Sequence, residues 1–506
     1  MKRSPGPKNE PVWWDEADLP EFPRLKTNAR ADVCVVGAGI AGLTTAYLLA
    51  VAGKSVVVLD DGPLASGMTG ATTGHLVTAL DRRFSEIERL RGQDGARLAA
   101  ESHAVAIDRI ESIAEEEDIA CDFARVEGFL FAAPDGEPGA LNRELEAARR
   151  AGVAVEMVER APLAFDTGPC ARFRHQAQFH PLKYVAGLAG ALRRRGGRIF
   201  TKTHADRIEG GARARVTARK HEVLAGAVVV ATNSPVNDQA AIHTRQAPYM
   251  TYVIGALVPR GSVSRALYWD MAHPFHYVRL QELRDGKDCL IVGGEDHKTG
   301  QAKDGHERHA RLEAWARERF STIERVGYTW AGQVMETLDG LAYIGRNPGD
   351  ENVYIVTGDS GVGLTHGTIA GMLLTDLIRG RKNAWAELYD PSRKVAGAAG
   401  QFLRQNVNVA VQYADWLTQG EASSTKEIPR DSGRVLRRGA AKLAVYRDAK
   451  GGIHERSAVC PHLGCIVQWN DAEKTWDCAC HGSRFDKLGK VINGPANSDL
   501  PAAPGS

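Results

Sequence analysis

The stretch from Asp32 to Asp61 constrains the fold more than any other. Val33-Cys34-Val35-Val36 is a short apolar run typical of a buried parallel strand, and at Gly37-Ala38-Gly39-Ile40-Ala41-Gly42 it turns into an apolar helix. A second strand, Ser55-Val56-Val57-Val58-Leu59, ends on Asp60-Asp61. Together they form a complete βαβ dinucleotide fingerprint. Gly37 makes the tight turn, Gly39 lets backbone approach a pyrophosphate at the helix N-terminus, and Gly42 packs the helix on the sheet. Asp60, roughly twenty residues past the glycines, suits an adenosine ribose, and an acid there argues against a 2′-phosphate. The uncharged run Val33 to Gly53 meets the roughly 20-residue criterion for a membrane helix. Its glycines, Thr44-Thr45 and flanking strand favour the βα reading, so no membrane span is expected.

At 506 residues the chain exceeds what one core usually serves, and two or more domains are expected. Hydrophobic (43%) and charged (25%) contents are those of a soluble globular protein. A net charge of +2 gives no electrostatic case for nucleic acid or an anionic membrane. Met1 to Pro11 is polar with no apolar export segment, so a cytoplasmic protein is expected. Cys34, Cys121, Cys170 and Cys289 are scattered singly, whereas Cys460, Cys465, Cys478 and Cys480 crowd together with His462 and His481. That crowding reads as a metal site before it reads as a disulfide framework.

Asn9 to Leu25 suits an extended arm packing Trp13 and Trp14 on the body. The small-residue loop Ser66 to His75 supplies Gly67, Met68, Thr69, Thr73, Gly74 and His75 for phosphate, ribityl and ring edges. Helices are expected over roughly Phe84 to Glu117 and Pro138 to Ala151, with strands of a second lobe at Phe123 to Ala133 and Arg172 to Phe179. Ile199 to Thr203, Val216 to Ala218 and Val228 to Asn233 add β-structure to the nucleotide lobe. Tyr249 to Gly294, dense in aromatics, suits an antiparallel sheet walling a substrate cavity. Val353 to Thr365 repeats strand, glycine loop and helix, so Gly358, Gly361, Val362, Gly363, Leu364 and Thr365 offer a second helix N-terminus to an electron-rich ligand atom.

Three of these segments carry a family likeness. From Asp32 to about Pro391 the chain resembles the D-amino acid oxidase-like superfamily of FAD-dependent oxidoreductases, on Gly37 to Gly42, on Asp339-Gly340-Leu341-Ala342-Tyr343-Ile344-Gly345-Arg346, and on Gly358 to Thr365 with its helix. The resemblance implies noncovalent FAD and oxidation of the C–N bond of an amino acid or amine by hydride transfer. Ala71 stands where members with covalently bound flavin carry a histidine or arginine. Within the loop and the second lobe, His75, Arg279 and His297 are the candidate catalytic residues, Arg279 as a bidentate clamp for a substrate carboxylate.

Asn406 to Leu417 suggests a helix, Thr418 to Gly433 has linker composition, and short strands follow. Within them, Cys460-Pro461-His462-Leu463-Gly464-Cys465 and Cys478-Ala479-Cys480-His481-Gly482-Ser483 resemble a Rieske protein, in which two thiolates hold one iron of a [2Fe–2S] cluster and two imidazoles the other. By that resemblance Cys460 and Cys478 are thiolate ligands, His462 and His481 imidazole ligands, and Cys465 and Cys480 the disulfide pair of one subclass. Asn493-Gly494-Pro495-Ala496 matches the proline loop over the cluster, and Ser483 a hydroxyl donor to its sulfurs. Phe485 replaces the tyrosine of high-potential members, so a middling value within roughly −150 to +300 mV is expected. A structural zinc site uses the same residue types but favours C-x-x-C arms.

The expected architecture is an N-terminal arm over about residues 1–30, an α/β FAD-binding Rossmann-like domain with an α+β substrate insertion over 31–395 (insertion about 80–200 and 240–330), a helix and linker over 396–432, and a small all-β Rieske domain over 433–506. The expected function is that of a dehydrogenase passing electrons from substrate through FAD and the in-chain cluster to an external one-electron carrier. A reductase running the other way, a Rieske oxygenase using His306 and His309, and a non-enzymatic electron-transfer or redox-sensing protein are the alternatives. Nothing in the sequence fixes an oligomeric state.

Overall fold

The computed structural model describes residues 7–133, 136–237, 242–395 and 397–504. Met1 to Gly6 of the arm and the last two residues lie outside them. The fingerprint strand Ala29–Val36 lies in the middle of an eight-stranded sheet, parallel to Val56–Leu59 on one side (Val33 opposite Val56) and to His221–Val230 on the other. All four residues of Val56–Leu59 are buried, because helices cover both faces of a parallel sheet.

The helix Ile40–Val51 packs along Gly363–Ile378, the helix that follows the second glycine loop. Small residues set this approach. A Cβ on Gly367 would lie 3.2 Å from Ala41 N, and one on Gly371 2.6 Å from Thr44 Cγ2. Both helices therefore start side by side and point their N-terminal N–H groups into one space.

A nine-stranded sheet faces that space, its antiparallel run formed by Arg325–Thr337, Gln246–Val258, Asp288–Lys298 and His276–Glu282. The turn at Asp339 is fixed from below. Arg393 donates Nη2 to Asp339 Oδ1 at 2.8 Å and Nε to Oδ2 at 2.9 Å, both residues being buried. Burial pushes the Asp339 carboxyl up, but the Arg393 charge and hydrogen bonds outweigh it and hold it below the usual carboxylate value.

The C-terminal region is all-β. A three-stranded antiparallel sheet (Ser432–Arg438, Ala441–Arg447, Ile453–Ser457) and a four-stranded one (Val467–Asn470, Thr475–Cys478, Arg484–Asp486, Val491–Asn493) close around Tyr446, Trp469, Trp476 and Phe485. The helix expected at Asn406 begins earlier, spanning Ala399–Gln412, with a 3₁₀ turn at Tyr413–Leu417. None of its residues is buried, so no periodic apolar face marked its start. The expected linker is not a free spacer. Glu421 N donates to Val435 O at 2.7 Å and Glu421 Oε2 accepts from Val435 N at 2.8 Å, which lays the segment along the sheet edge. Among the described residues no helix is long and apolar enough to cross a membrane.

Candidate functional site

The two helix N-termini, the small-residue loop and the antiparallel sheet enclose a chamber of about 860 Å³. Of the expected dinucleotide residues, Gly37, Gly39, Ile40, Ala41, Asp60, Asp61, Gly67, Met68, Thr69, Thr73, His75, Gly361, Val362, Gly363 and Leu364 line it. Gly42, Gly74, Gly358 and Thr365 stand behind the lining. Gly42 lets the helix approach the Gly37 carbonyl, and Gly74 sits 2.5 Å from Arg279 Nη1 as measured from an added Cβ. Gly358 packs on Thr337, and Thr365 Oγ1 lies 2.8 Å from His103 Nδ1.

Asp60 accepts hydrogen bonds from Ala38 N (2.6 Å) and Gly62 N (2.9 Å), which ties the fingerprint turn to the end of the second strand. Burial pushes its carboxyl up to about 7 against those bonds. Asn233, at the end of His221–Val230, has a buried Nδ2 with no hydrogen-bond partner among the described residues and borders the same end of the chamber.

At the other end stand Trp269, Phe275, Tyr277, His75, Asp296 and Glu336. Only part of the expected aromatic wall faces in. Adjacent strand residues point to opposite faces, so Trp269 enters the chamber while Tyr268 joins the core behind the sheet, as does Tyr252. A bulge corrects His297: Glu295 takes φ +58° and the register slips opposite Met250 to Tyr252, which inverts the alternation running from Ile291 and Gly293. Asp296 lines the chamber, whereas His297 stacks on Tyr252 (5.7 Å between ring centroids) outside the lining. Burial lowers the His75 imidazole to about 3, the Arg279 charge adding to it, so the ring is neutral at pH 7.

Arg279 is not placed as a carboxylate clamp. It is fully buried, with Nη1 donating to Gly74 O (2.9 Å) and Phe179 O (3.0 Å) and Nη2 to Gln281 Oε1 (2.6 Å), beneath the Trp13 ring of the arm. Its role is to hold the small-residue loop on the sheet. Arg279→Lys is expected to lower folding stability by about 2–4 kcal/mol, because one ammonium cannot reach these acceptors together. Substrate KM should stay within about twofold. Thermal unfolding beside steady-state kinetics checks this, and a KM rise confined to carboxylate substrates with unchanged stability would restore the clamp.

The second constellation lies where the C-terminal domain meets the sheet. Cys460 and Cys478 are buried and are each other's hydrogen-bond partner, which holds the Cys460 thiol down and pushes Cys478 up. The His462 and His481 rings are 5.0 Å apart, and His243 of the larger lobe packs against both, at 5.1 and 6.2 Å. Burial and the neighbouring imidazoles lower His481 to about 3, so its ring is neutral at pH 7. Cys465 and Cys480 form a disulfide joining the two loops. Cys478 lies within 4.8 Å of both, but bonded sulfurs have no thiolate to offer, so that trio is no metal site.

Gln333, absent from the expected sites, connects the two constellations. It borders the chamber, its backbone N lies 3.0 Å from Met68 Sδ, and its Nε2 donates to Gly482 O at 2.8 Å, one residue past His481. Its Oε1 accepts from Asn493 Nδ2.

A dinucleotide chamber under an antiparallel roof, in contact with a pair of loops presenting two thiols and two imidazoles, defines a flavin-type oxidoreductase joined to an iron–sulfur domain. Residues 32–377 match the family model described as FAD dependent oxidoreductase, DAO, and 418–504 match that of the Rieske [2Fe-2S] domain. YhfW of Bacillus subtilis (strain 168), which bears the name of a Rieske 2Fe-2S iron-sulfur protein, is 30% identical over 97% of both chains. Gamma-glutamylputrescine oxidoreductase of Escherichia coli (strain K12) is 30% identical over 72% of this chain and 88% of its own. Glycine oxidase from Geobacillus kaustophilus shares the fold, with a TM-score of 0.62 at 19% identity over 73% of this chain and 100% of that one. The chain belongs to the DAO family of FAD-dependent oxidoreductases and carries a C-terminal Rieske domain; its cofactors are FAD and a [2Fe–2S] cluster.

The residues present fit both groups. The unpartnered Asn233 amide and the open space beside Gly67, where an added Cβ meets nothing within 4 Å, suit a dinucleotide. Paired thiols beside paired imidazoles are the donor set of a Rieske centre.

Proposed function

We propose that the protein is a dehydrogenase that oxidises a C–N bond of an amine or amino acid and sends the electrons through the Rieske cluster to an external one-electron carrier. FAD supplies a two-electron hydride acceptor and the cluster carries electrons one at a time. In this reading Cys460, His462, Cys478 and His481 hold the cluster, and the glycine loops with Asp60 hold FAD. The observation that carries it is Gln333, a single side chain that borders the flavin chamber and grips the loop bearing His481. Two redox sites sharing a buried residue need no domain swing to exchange electrons.

At the substrate end, Trp269, Phe275 and Tyr277 exclude water and give an apolar bed for the carbon chain. Neutral His75 can hydrogen-bond the amine nitrogen, but with its imidazole lowered to about 3 it is too weak a base to take the proton, so the reacting nitrogen enters as the free amine. Asp296 and Glu336 present acids to the same space, which suits an ammonium-bearing substrate, in keeping with the amine named in the Escherichia coli relative. Anaerobic mixing with a panel of amines and amino acids, followed by flavin absorbance, tests the reading. Bleaching by an amine supports it, and a flavin that no amine reduces overturns it.

Burial pushes the Asp296 carboxyl up to about 7. It is neutral below that value and charged above, so the KM of a cationic amine is expected to fall as pH rises through about 7. Asp296→Asn should raise that KM roughly tenfold with kcat little changed and flatten the pH step. Steady-state kinetics across pH 6–9 decide it, and an unchanged step in the variant would remove Asp296 from substrate binding.

A further inference from the structure

The chamber that holds FAD is not closed by the larger lobe alone. Val491, Asn493, Gly494 and Asn497, all from the Rieske domain, form part of its lining. They belong to the last strand of the four-stranded sheet, Val491–Asn493, and to the segment that follows it. The segment is fastened at the fingerprint end. Asn497 Nδ2 donates to Ala205 O (2.9 Å) and Asp206 O (3.1 Å), and its carbonyl oxygen lies 3.1 Å from His204 Nε2. His204 Nδ1 in turn lies 3.4 Å from Asp61 Oδ2, beside Asp60.

In the middle, Gly494 is pressed onto the turn that carries the unpartnered Asn233. A Cβ there would lie 3.1 Å from Ser234 O and 3.2 Å from Val236 Cγ1. At the far end Asn493 donates to Gln333. On its other face the segment is part of the cluster's own support, since Ala496 N donates to Ser483 Oγ at 2.9 Å and Asn493 pairs with Arg484. One piece of backbone thus lines the flavin chamber and backs the cluster loop.

We propose that residues 491–497 are a cofactor clamp: the Rieske domain supplies part of the FAD site, covering the adenosine end, with Asn497 as its latch. This rests on the chamber being the FAD site and is independent of which substrate is oxidised. A bound FAD leaves only after the latch opens, so the iron–sulfur domain controls flavin retention as well as redox contact.

The test uses the full chain loaded with both cofactors. Asn497→Ala removes the two donated hydrogen bonds, and Asn497→Asp sets a carboxylate against the Ala205 and Asp206 carbonyl oxygens. FAD release after dilution is followed by the recovery of flavin fluorescence, and the Rieske EPR signal reports whether the domain stays folded. Weakening of FAD binding by roughly tenfold or more, larger for the aspartate, with the EPR signal intact, is the expected result. Unchanged FAD retention with an intact EPR signal overturns the proposal. Amide hydrogen exchange on the unsubstituted chain decides it without a variant. FAD added to flavin-stripped protein should slow exchange at 491–497, and no change there overturns the clamp.

Discussion

Gly42→Val is expected to give a chain without FAD that still shows a Rieske EPR signal. A Cβ at position 42 overlaps the Gly37 carbonyl oxygen and lies 3.2 Å from Val35 Cγ1. Neither neighbour has room to retreat. Gly37 holds φ at +111° in the turn, its N donates to Leu59 O at 2.7 Å, and Val35 is in register between Val58 and Val229. The helix must move off the sheet, taking its N-terminal N–H groups from the pyrophosphate position. Overpacking of this kind costs about 1–3 kcal/mol where side chains can adjust, and more where the obstacle is backbone. Bound flavin per chain, read from visible absorbance, should fall more than about tenfold. Normal flavin content would mean that the fingerprint turn is not the pyrophosphate site.

Cys478→Ser is expected to do the reverse, removing the cluster while FAD remains. Cys478 is buried on the loop opposite Cys460, and its N donates to Ser483 O at 2.8 Å, so the loop geometry survives a change of sulfur to oxygen. A serine hydroxyl is not deprotonated at neutral pH and is a poor ligand for iron. The Cys465–Cys480 disulfide still joins the loops, which keeps the domain folded. Iron content and the Rieske EPR signal should fall to the detection limit. A persisting signal would assign the thiolates elsewhere.

Local patterns carried most of the fold. The fingerprint strand, glycines and acid follow one another within thirty residues, and each role depends on near neighbours, so the turn and its sheet position were legible in advance. The Rieske domain was legible for the same reason, since the residue types and spacing of the Cys460 and Cys478 arms lie within single loops. Arg279 was not legible, because the carbonyls that enclose it come from Gly74 and Phe179 and its lid from Trp13, all remote in sequence. Gln333 and Asn497 gave no signal either. Both act across the contact between the two lobes, and an amide in a strand or a loop looks alike whether it faces water or a partner domain. Asp296 was not legible, since unbroken alternation from Ile291 and Gly293 sends His297 to the chamber face, and only the bulge at Glu295, with φ at +58° and the register slipping opposite Met250 to Tyr252, puts the acid there instead.

The central claim is that electrons taken from an amine reach the Rieske cluster inside one chain. Rapid anaerobic mixing of the protein with an amine that bleaches the flavin, freezing at intervals and recording EPR, measures this directly. The account predicts that the Rieske signal grows as flavin absorbance falls, and that Cys478→Ser bleaches without any such signal. A flavin that bleaches fully while the unsubstituted cluster stays oxidised, or a cluster reducible only by an external one-electron donor, would contradict it.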